Sequence, residues 1–491
     1  MSLRDPQHTS EEAPTGSTAR RAILLTSYQT GATRGRNLGM PGYSYDLVAQ
    51  LFVPLLARWG EVIPVARQTE ALETAARAAL NRGCCPVHVS FVACQDMVFT
   101  SSAPNVIVPA WEFPDVPAEA FDGNPRNNWV ATANRCDLVL VGGQFTVEAF
   151  QRAGIRTPIR IVPVPTPEEY FHLPRWSAEN RTRIACPAYV FPHPDVPSHE
   201  LWDAPEADDP TGSLTEQGAR ACSLGRAWED NYELFLPPLF TQAVRFMTTR
   251  LGADRWRAYV RNCRRDELEL SGVVYTSIFS PRDGRKNWQD LLSGFLFALH
   301  DRDDATLLVK LITRERLMVE HVLEFYRTVG LLHRCKVVFI TDYLPHEQML
   351  DLVRASSYYL TTTRAEGNCL PLMNYLAAGR PGISPCHTAI SDYFGDDIGL
   401  TVPWQPEPAT WPQDSRARIK TTWARLDWPA LVQRLRESYL LARQDRRAYD
   451  ARAERGQQRM RTRVSVESVW AQLRAALEYL EAIGRQNAAA A

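Results

Sequence analysis

The stretch that decides the fold is Ser357–Pro381, SYYLTTTRAEGNCLPLMNYLAAGRP. Its aromatic and β-branched beginning predicts a strand that ends at Thr363. A helix is predicted to begin near Leu370, with Pro371 in its first turn, and to stop at Gly379, because proline inside the start and glycine past the end are typical helix boundaries. The loop between the two elements, which contains Glu366, therefore lies at the carboxyl end of a predicted parallel strand, where open α/β sheets bind ligands.

The residues of this loop suit a diphosphate attached to a sugar. The first amides of a helix have no internal partners, and the helix N-terminus carries about half a positive charge, so the backbone of Asn368, Cys369 and Leu370 is predicted to cradle an anion. Gly367 lets the backbone approach a ligand closely, and Glu366 is placed to accept hydrogen bonds from sugar hydroxyls. The alternative is an ordinary strand–loop–helix connection in which Glu366 is a solvated partner of the helix dipole.

The whole sequence divides into five segments, one of which contains this stretch. Alternating strand and helix patterns predict two doubly wound α/β domains, at 21–167 and 271–427. The segment 168–270 breaks the alternation and is predicted to be an irregular and helical insertion. A polar leader (1–20) is predicted to be disordered, and charged C-terminal helices (428–491) are predicted to pack back on the first domain.

Composition excludes several other classes of protein. The chain has 491 residues, a formal net charge of −1 and ten cysteines. No apolar run approaches the ~18 residues that a membrane-spanning helix needs, and no charge excess favours nucleic acid. The cysteines form no C-x-x-C pair, which argues against a zinc site. Without a secretion signal, we predict a cytoplasmic protein with reduced thiols.

The run from Glu366 to Asn374, EGNCLPLMN, resembles the signature loop of retaining glycosyltransferases of family 4 (group 1), which have the GT-B fold. The resemblance implies two Rossmann-like domains that face a cleft. Glu366 matches the first acid of the family's motif and is assigned to the donor sugar. Asn374 stands where the family has a second acid that holds the donor ribose, and an asparagine can still donate and accept hydrogen bonds there without a charge.

Two further segments extend the resemblance in the family's order. Tyr343 and Leu344 lie in a strand and loop that resemble the segment flanking the nucleotide base. The other segment is the loop that follows the first strand of the second domain, where Lys286 matches the family's lysine for the diphosphate. The family's arginine falls on a proline here, so Arg282 or Arg285 would replace it, and we assign Arg282. A cationic pair would neutralise a departing diphosphate without a metal ion.

The first domain offers candidates for the acceptor side of the cleft. Gly42 closes a glycine-rich loop that resembles the family's glycine loop, although such loops are also common as flexible turns. Trp111 and Glu112 follow a predicted strand, where related enzymes often have a Trp-Glu pair. His88 lies within a predicted strand and is the weakest of these candidates.

The resemblance predicts a transferase that moves a sugar from a nucleotide-diphosphate donor to an acceptor with retention of configuration and without a cofactor. The acceptor is expected to be a glycan, a lipid-linked precursor or a polysaccharide precursor, with peripheral membrane contact still compatible with the sequence. Two alternatives stay open. A nucleotide-sugar epimerase would share the fold, and the asparagine at position 374 together with the displaced arginine is compatible with a catalytically silent binding subunit.

Overall fold

Six parallel strands form the first sheet of the computed structural model, in the order β2-β1-β3-β4-β5-β6. Its central strands are nearly continuous apolar runs, as expected for a parallel sheet that is covered on both faces. The strands are β1 (Arg20–Ser27), β2 (Glu61–Pro64), β3 (Cys84–Phe91), β4 (Asn105–Ile107), β5 (Leu138–Val141) and β6 (Ile159–Ile161).

The structure describes residues 20–28, 38–39, 42–192, 256–412, 414 and 416–490. The predicted leader, apart from Arg20, and most of the predicted insertion lie outside these residues.

Helices cover both faces of the first sheet. The helices of this lobe are α1 (Tyr43–Trp59), α2 (Thr69–Asn81), α3 (Trp129–Ala133) and α4 (Gln144–Arg152), and the short helix α5 (Glu168–Phe171) follows in the crossing to the second lobe. Ile23 and Leu25 of β1 pack against α1, whereas Leu24 points to the opposite face and packs against α2. This alternation follows from the period of two along a strand.

The second sheet has eight strands in the order β16-β15-β14-β11-β12-β13-β8-β9. All neighbours are parallel except β8 and β9, which run antiparallel at one edge. The strands are β8 (Ala188–Phe191), β9 (Arg264–Arg265), β11 (Val273–Phe279), β12 (Ala305–Leu311), β13 (Lys336–Ile340), β14 (Tyr358–Leu360), β15 (Gly382–Pro385) and β16 (Gly399–Val402).

The helices of the second lobe again lie on both faces of the sheet. Its helices are α6 (Trp288–Leu299), α7 (Arg316–Val329), α8 (His346–Ala355) and α9 (Leu370–Ala377). Tyr275 of β11 packs on the side of α6 and α7, and Val274 packs on the side of α8. Both α/β domains expected from the sequence are therefore present.

The edge strands β8 and β9 fall in the segment that the sequence predicts to be an insertion, so the boundary at residue 271 differs from the structure. Residues 188–191 pair antiparallel with β13, from Val337↔Phe191 to Ile340↔Ala188. This pairing covers the backbone of β13, which would otherwise be an open edge. Two more strands of the same segment, β7 (Thr182–Ile184) and β10 (Leu268–Leu270), pair with each other.

Three C-terminal helices connect the two lobes: α10 (Trp428–Gln444), α11 (Arg446–Val464) and α12 (Val466–Ala490). Leu431 of α10 lies in the core of the second lobe, and Met460 of α11 lies in the cluster around α9. Val469 and Leu473 of α12 lie in the core of the first lobe beside Phe52. The predicted packing on the first lobe therefore applies to α12, whereas α10 and α11 pack on the second lobe.

An antiparallel hairpin follows the last strand of the second sheet. Its strands are β17 (Trp404–Thr410) and β18 (Lys420–Leu426), and among the residues that the structure describes they pair only with each other. No helix in the described part of the chain is both long and apolar enough to cross a membrane. The cysteines that the structure describes are free thiols.

His88 is fully buried in β3 rather than facing the cleft. Its ring nitrogens lie 2.9 Å from Thr26 Oγ1 and 3.1 Å from Asn105 Oδ1. Burial lowers the pKa of His88 to about 4, although the hydrogen bond with Asn105 opposes this effect. The side chain therefore has a structural position, which strand alternation alone did not distinguish from a cleft position.

The buried imidazole predicts a pH-dependent stability. The unfolded chain binds a proton at His88 near pH 6.5, whereas the folded chain does so only near pH 4, so stability should fall as the pH is lowered through this window. Between pH 7 and pH 5 this group should remove about 2 kcal/mol. In thermal unfolding, His88→Asn should show a smaller decrease in Tm over that pH range than the parent protein. An equal decrease in both proteins would contradict this assignment.

Candidate functional site

The strand order of the second sheet brings two loops together. The chain runs from β11 through β12 and β13 on one side, then returns to β14 on the other side of β11. The loops that follow β11 and β14 therefore leave the same edge of the sheet side by side, at a topological switch point, where open α/β sheets bind ligands.

Hydrogen bonds fasten these two loops to each other. The first contains a 3₁₀ turn, Gly284–Lys286, whose entry is capped by the Asp283 carboxylate, which accepts from the Arg285 amide at 3.3 Å. The Arg364 amide donates to the Arg285 carbonyl at 2.7 Å, and the Thr362 hydroxyl donates to the Asn287 carbonyl at 2.8 Å. The turn thus presents consecutive cations, Arg285 and Lys286, to the second loop.

Glu366 lies between these two cations. Its Oε1 is 2.5 Å from Lys286 Nζ, and its Oε2 is 3.2 Å from an Arg285 guanidinium nitrogen. Arg285 also reaches the carboxylate of Glu112, in the first lobe, at 3.2 Å and that of Asp283 at 2.9 Å. The cluster therefore contains two cations and three carboxylates, and it spans the two lobes.

The surroundings move the pKa values of two of these carboxylates in opposite directions. Burial acts to raise the pKa of Glu366, but the charges of Lys286 and Arg285 outweigh it and hold the pKa at about 2. Burial raises the pKa of Glu112, with Arg285 opposing the rise and Asp283 adding to it. Glu366 is accordingly ionised at neutral pH, and Glu112 is the carboxylate that takes up a proton more readily.

A strained turn supports Glu366 from below. Thr388 has a φ of 46°, in the left-handed region that β-branched residues rarely adopt. Its hydroxyl accepts from the Glu366 amide at 3.0 Å, and His387 Nε2 lies 2.7 Å from the Thr363 carbonyl. Burial lowers the pKa of His387 to about 4, so a neutral ring supports the loop. Strain of this kind is common where a structure fixes a functional side chain.

Cys369 and Leu370 begin helix α9 directly after this loop. Cys369 is buried with a φ of 56°, and burial raises the pKa of its thiol to about 12. The Asn368 carbonyl accepts from the Tyr393 hydroxyl at 2.8 Å. The hydrogen bond from Tyr393 helps to hold the backbone at the start of α9, and the anion cradle stays a prediction.

The first lobe lies directly against the loop. A side chain at Gly367 would begin 3.0 Å from the Trp111 carbonyl oxygen, and one at Gly142 would begin 2.0 Å from Asn368 Oδ1. One at Gly39 would begin 2.5 Å from the Ile312 carbonyl oxygen of the second lobe. Glycine permits the backbones of the two lobes to approach closely at positions 39 and 367, and it makes room for the Asn368 side chain at position 142.

Arg282 does not reach the cluster. Its guanidinium is 2.8 Å from Glu315, and its side chain is 65% exposed. Arg285, the other arginine that could replace the family's arginine, lies beside Glu366, and its side chain is only 15% exposed. The loop thus directs Arg285 toward Glu366 and Arg282 toward Glu315.

Asn374 faces the chain that crosses between the lobes. Its Oδ1 accepts from the Thr166 hydroxyl at 3.4 Å, and its side chain also bonds to Tyr170. These contacts place it one turn into α9, away from Glu366. The predicted ribose contact stays a prediction.

The remaining residues predicted for the site are Tyr343, Leu344, Gly42, Trp111 and Glu112. Tyr343 is 37% exposed and Leu344 is buried, both in the loop after β13, two strands from β11. Gly42 has a φ of 84° and precedes α1, where a side chain would begin 2.4 Å from Tyr28 Cγ. Trp111 and Glu112 contact the loop of the second lobe as described above.

The comparisons with known proteins identify the fold. No protein-family model and no curated protein matches the sequence. Sucrose-phosphate synthase from Thermosynechococcus elongatus has a TM-score of 0.52 at 14% identity, over 94% of this chain and 100% of that chain. A glycosyltransferase from Rickettsia africae ESF-5 has a TM-score of 0.51 at 10% identity, over 95% and 99%. The chain therefore has the GT-B architecture, which confirms the fold class predicted from the sequence.

The cluster predicts a strong energetic coupling between Lys286 and Glu366. Removing one partner of a largely buried pair leaves the other without compensation. The cycle Lys286→Met, Glu366→Gln and the double variant should give a coupling of about 1 to 3 kcal/mol in the free energy of unfolding. The exposed pair Arg282–Glu315 is a matched control and should couple by less than about 1 kcal/mol. Equal coupling in the two cycles would contradict this account of the cluster.

Proposed function

We propose that this protein is a glycosyltransferase that moves a sugar from a nucleotide-diphosphate donor to an acceptor. The observation that carries the proposal is the position of Glu366 between Lys286 and Arg285, at the switch point of the second sheet and against the first lobe. The two solved structures with the same architecture bear the names of a glycosyltransferase and a sucrose-phosphate synthase, which supports this class of reaction.

The donor would exchange partners with the carboxylates of the cluster. Phosphate oxygens would take hydrogen bonds from Lys286 and Arg285 and from the first amides of α9, which frees Glu366 to accept hydrogen bonds from the sugar hydroxyls. Because these cations neutralise the departing nucleoside diphosphate, we expect donor binding without a metal ion. Burial raises the pKa of Glu112, so its charge is easier to neutralise than that of Glu366 when a diphosphate approaches.

In the transfer itself, the bond between the anomeric carbon and the phosphate oxygen breaks, and the leaving diphosphate keeps the electron pair. The acceptor oxygen forms the new bond to the anomeric carbon, and its proton passes to the oxygen of the departing diphosphate. We propose that the acceptor hydroxyl approaches the anomeric carbon from the side of Glu112, the residue that the first lobe contributes to the cluster. Following the resemblance, we also propose retention of configuration, a glycan or lipid-linked acceptor and a cytoplasmic site of action.

A second candidate function is nucleotide-sugar binding without transfer. The observation that favours it is Asn374, which lacks the charge of the family's second acid and is bonded to Thr166 and Tyr170. Such a subunit would keep the diphosphate cations but lose the usual ribose contact. Binding without turnover on any acceptor would identify it.

The proposal predicts different outcomes for two arginines of the same loop. With UDP-, GDP-, ADP- and dTDP-glucose as donors in the absence of metal, one donor should raise the Tm and support transfer. Arg285→Ala should lower kcat/KM for that donor by about 100-fold, the scale of losing one charge-stabilising donor. Arg282→Ala is the matched control, because its side chain pairs with Glu315 outside the cluster, and it should stay within about threefold of the parent. Equal losses in the two variants would contradict the proposed donor site.

A further inference from the structure

The hairpin of β17 and β18 links the candidate donor loop to the opposite lobe. It emerges after β16, the edge strand of the second sheet, and its two strands pair with no other strand in the described part of the chain. A two-stranded hairpin is marginal in water by itself, so packing at its root and its tip must hold it.

The root of the hairpin is fastened to the residues that precede Glu366. The Ala424 amide donates to the Arg364 carbonyl at 2.8 Å. The Arg364 guanidinium lies over the Trp423 ring, 4.7 Å from its centroid, and the Trp423 indole donates to Glu407 at 2.8 Å. The hairpin therefore has a fixed orientation relative to the candidate donor loop.

The tip of the hairpin packs into the first lobe. Trp411 is 4% exposed, and its ring centroid lies 5.8 Å from that of Trp111, 5.9 Å from that of Phe121 and 6.0 Å from that of Trp129. Close aromatic pairs of this kind stabilise beyond their buried area. All three partners belong to residues 111–129, which we call the acceptor-side segment.

A charged contact beside Trp411 reinforces the same attachment. Arg416 donates to Glu119 of the acceptor-side segment at 2.8 Å, and its guanidinium lies 4.6 Å from the centroid of the Phe121 ring. Asp414 orders the tip by accepting from Arg416 Nε at 2.9 Å and from the Ile419 amide at 2.8 Å. The tip is thus a preformed surface for the acceptor-side segment.

The acceptor-side segment has little regular structure of its own. Between Ile107, at the end of β4, and Trp129, at the start of α3, the structure contains only one 3₁₀ turn, Pro125–Asn127. Yet this segment carries Glu112, which reaches Arg285, and Trp111, whose backbone abuts Gly367. Contacts from outside the segment must therefore contribute to its position.

We propose that Trp411 is a positioning residue that holds Trp111 and Glu112 over the donor loop, so that the hairpin sets the acceptor side of the cleft. This inference rests on the proposed transferase function. Lys286, Arg285 and Glu366 all belong to the second lobe, so donor binding does not require Trp411. Loosening the acceptor-side segment would therefore impair the acceptor oxygen's approach and admit water to the same anomeric carbon.

The kinetic test separates the acceptor from the donor. With the responding nucleotide-glucose as donor and octyl β-glucoside or maltotriose as acceptor, Trp411→Ala should raise the acceptor KM or lower the ratio of transfer to hydrolysis by about tenfold. The donor Kd should stay within about twofold, and Trp411→Phe should lie between the two proteins. Trp470→Ala, which removes an indole from α12, is the matched control and should leave the ratio unchanged. A fall in donor affinity equal to the fall in transfer would overturn the positioning role.

The charged contact gives a second test. Arg416→Ala and Glu119→Ala should each lower the ratio of transfer to hydrolysis, and the double variant should lose less than the sum of the two single losses, because both remove the same contact. Hydrogen exchange supplies a readout that does not depend on activity: Trp411→Ala should speed exchange in residues 111–129 but not in residues 361–369. Unchanged exchange in 111–129 would overturn this inference alone. Absence of donor binding and transfer in the parent protein would overturn the proposed function, and this inference with it.

Discussion

The contact between Glu366 and its two cations is the interaction on which the rest of the site depends. It exists because β11 and β14 are neighbours, so the loops that carry Lys286 and Glu366 leave one edge of the sheet although 80 residues separate them. Burying five charged groups at a lobe interface costs desolvation that ion pairing rarely recovers in full. Such a cluster in a cleft is more typical of a site prepared for a charged ligand than of a device for stability.

The two lobes contact each other closely around this cluster. Gly39 and Gly367 let the backbones of the two lobes meet, Gly142 makes room for the Asn368 side chain, and the hairpin adds aromatic and charged contacts between the same two lobes. Excluding water from such a cleft strengthens each electrostatic interaction within it. The second lobe supplies Lys286, Arg285 and Glu366, and the first supplies Glu112, whose pKa is raised by burial; the proposed division into donor and acceptor sides rests on this arrangement.

Local sequence signals predicted the two α/β domains and the loop of Glu366, because that loop lies between a strand and a helix with clear boundaries, whereas Lys286 was predicted from the family resemblance. The choice between Arg282 and Arg285 depends on side-chain directions in the loop that contains the 3₁₀ turn Gly284–Lys286, and no periodicity in the sequence predicts these directions. His88 alternates along β3 like a cleft residue, but its burial depends on the covering helices. Strand β8 was not predicted, because it is short and flanked by prolines. The contact of Trp411 with Trp111 was not predicted either, because local patterns give no information on residues so distant in sequence.

The most direct test of the account is a crystal structure of the protein with the nucleoside diphosphate of its responding donor. The account predicts phosphate oxygens within hydrogen-bond distance of Lys286 Nζ and the Arg285 guanidinium, beside the first turn of α9, with Glu366 released from Lys286. A diphosphate bound elsewhere, or bound while the pair between Lys286 and Glu366 stays intact, would contradict the central claim.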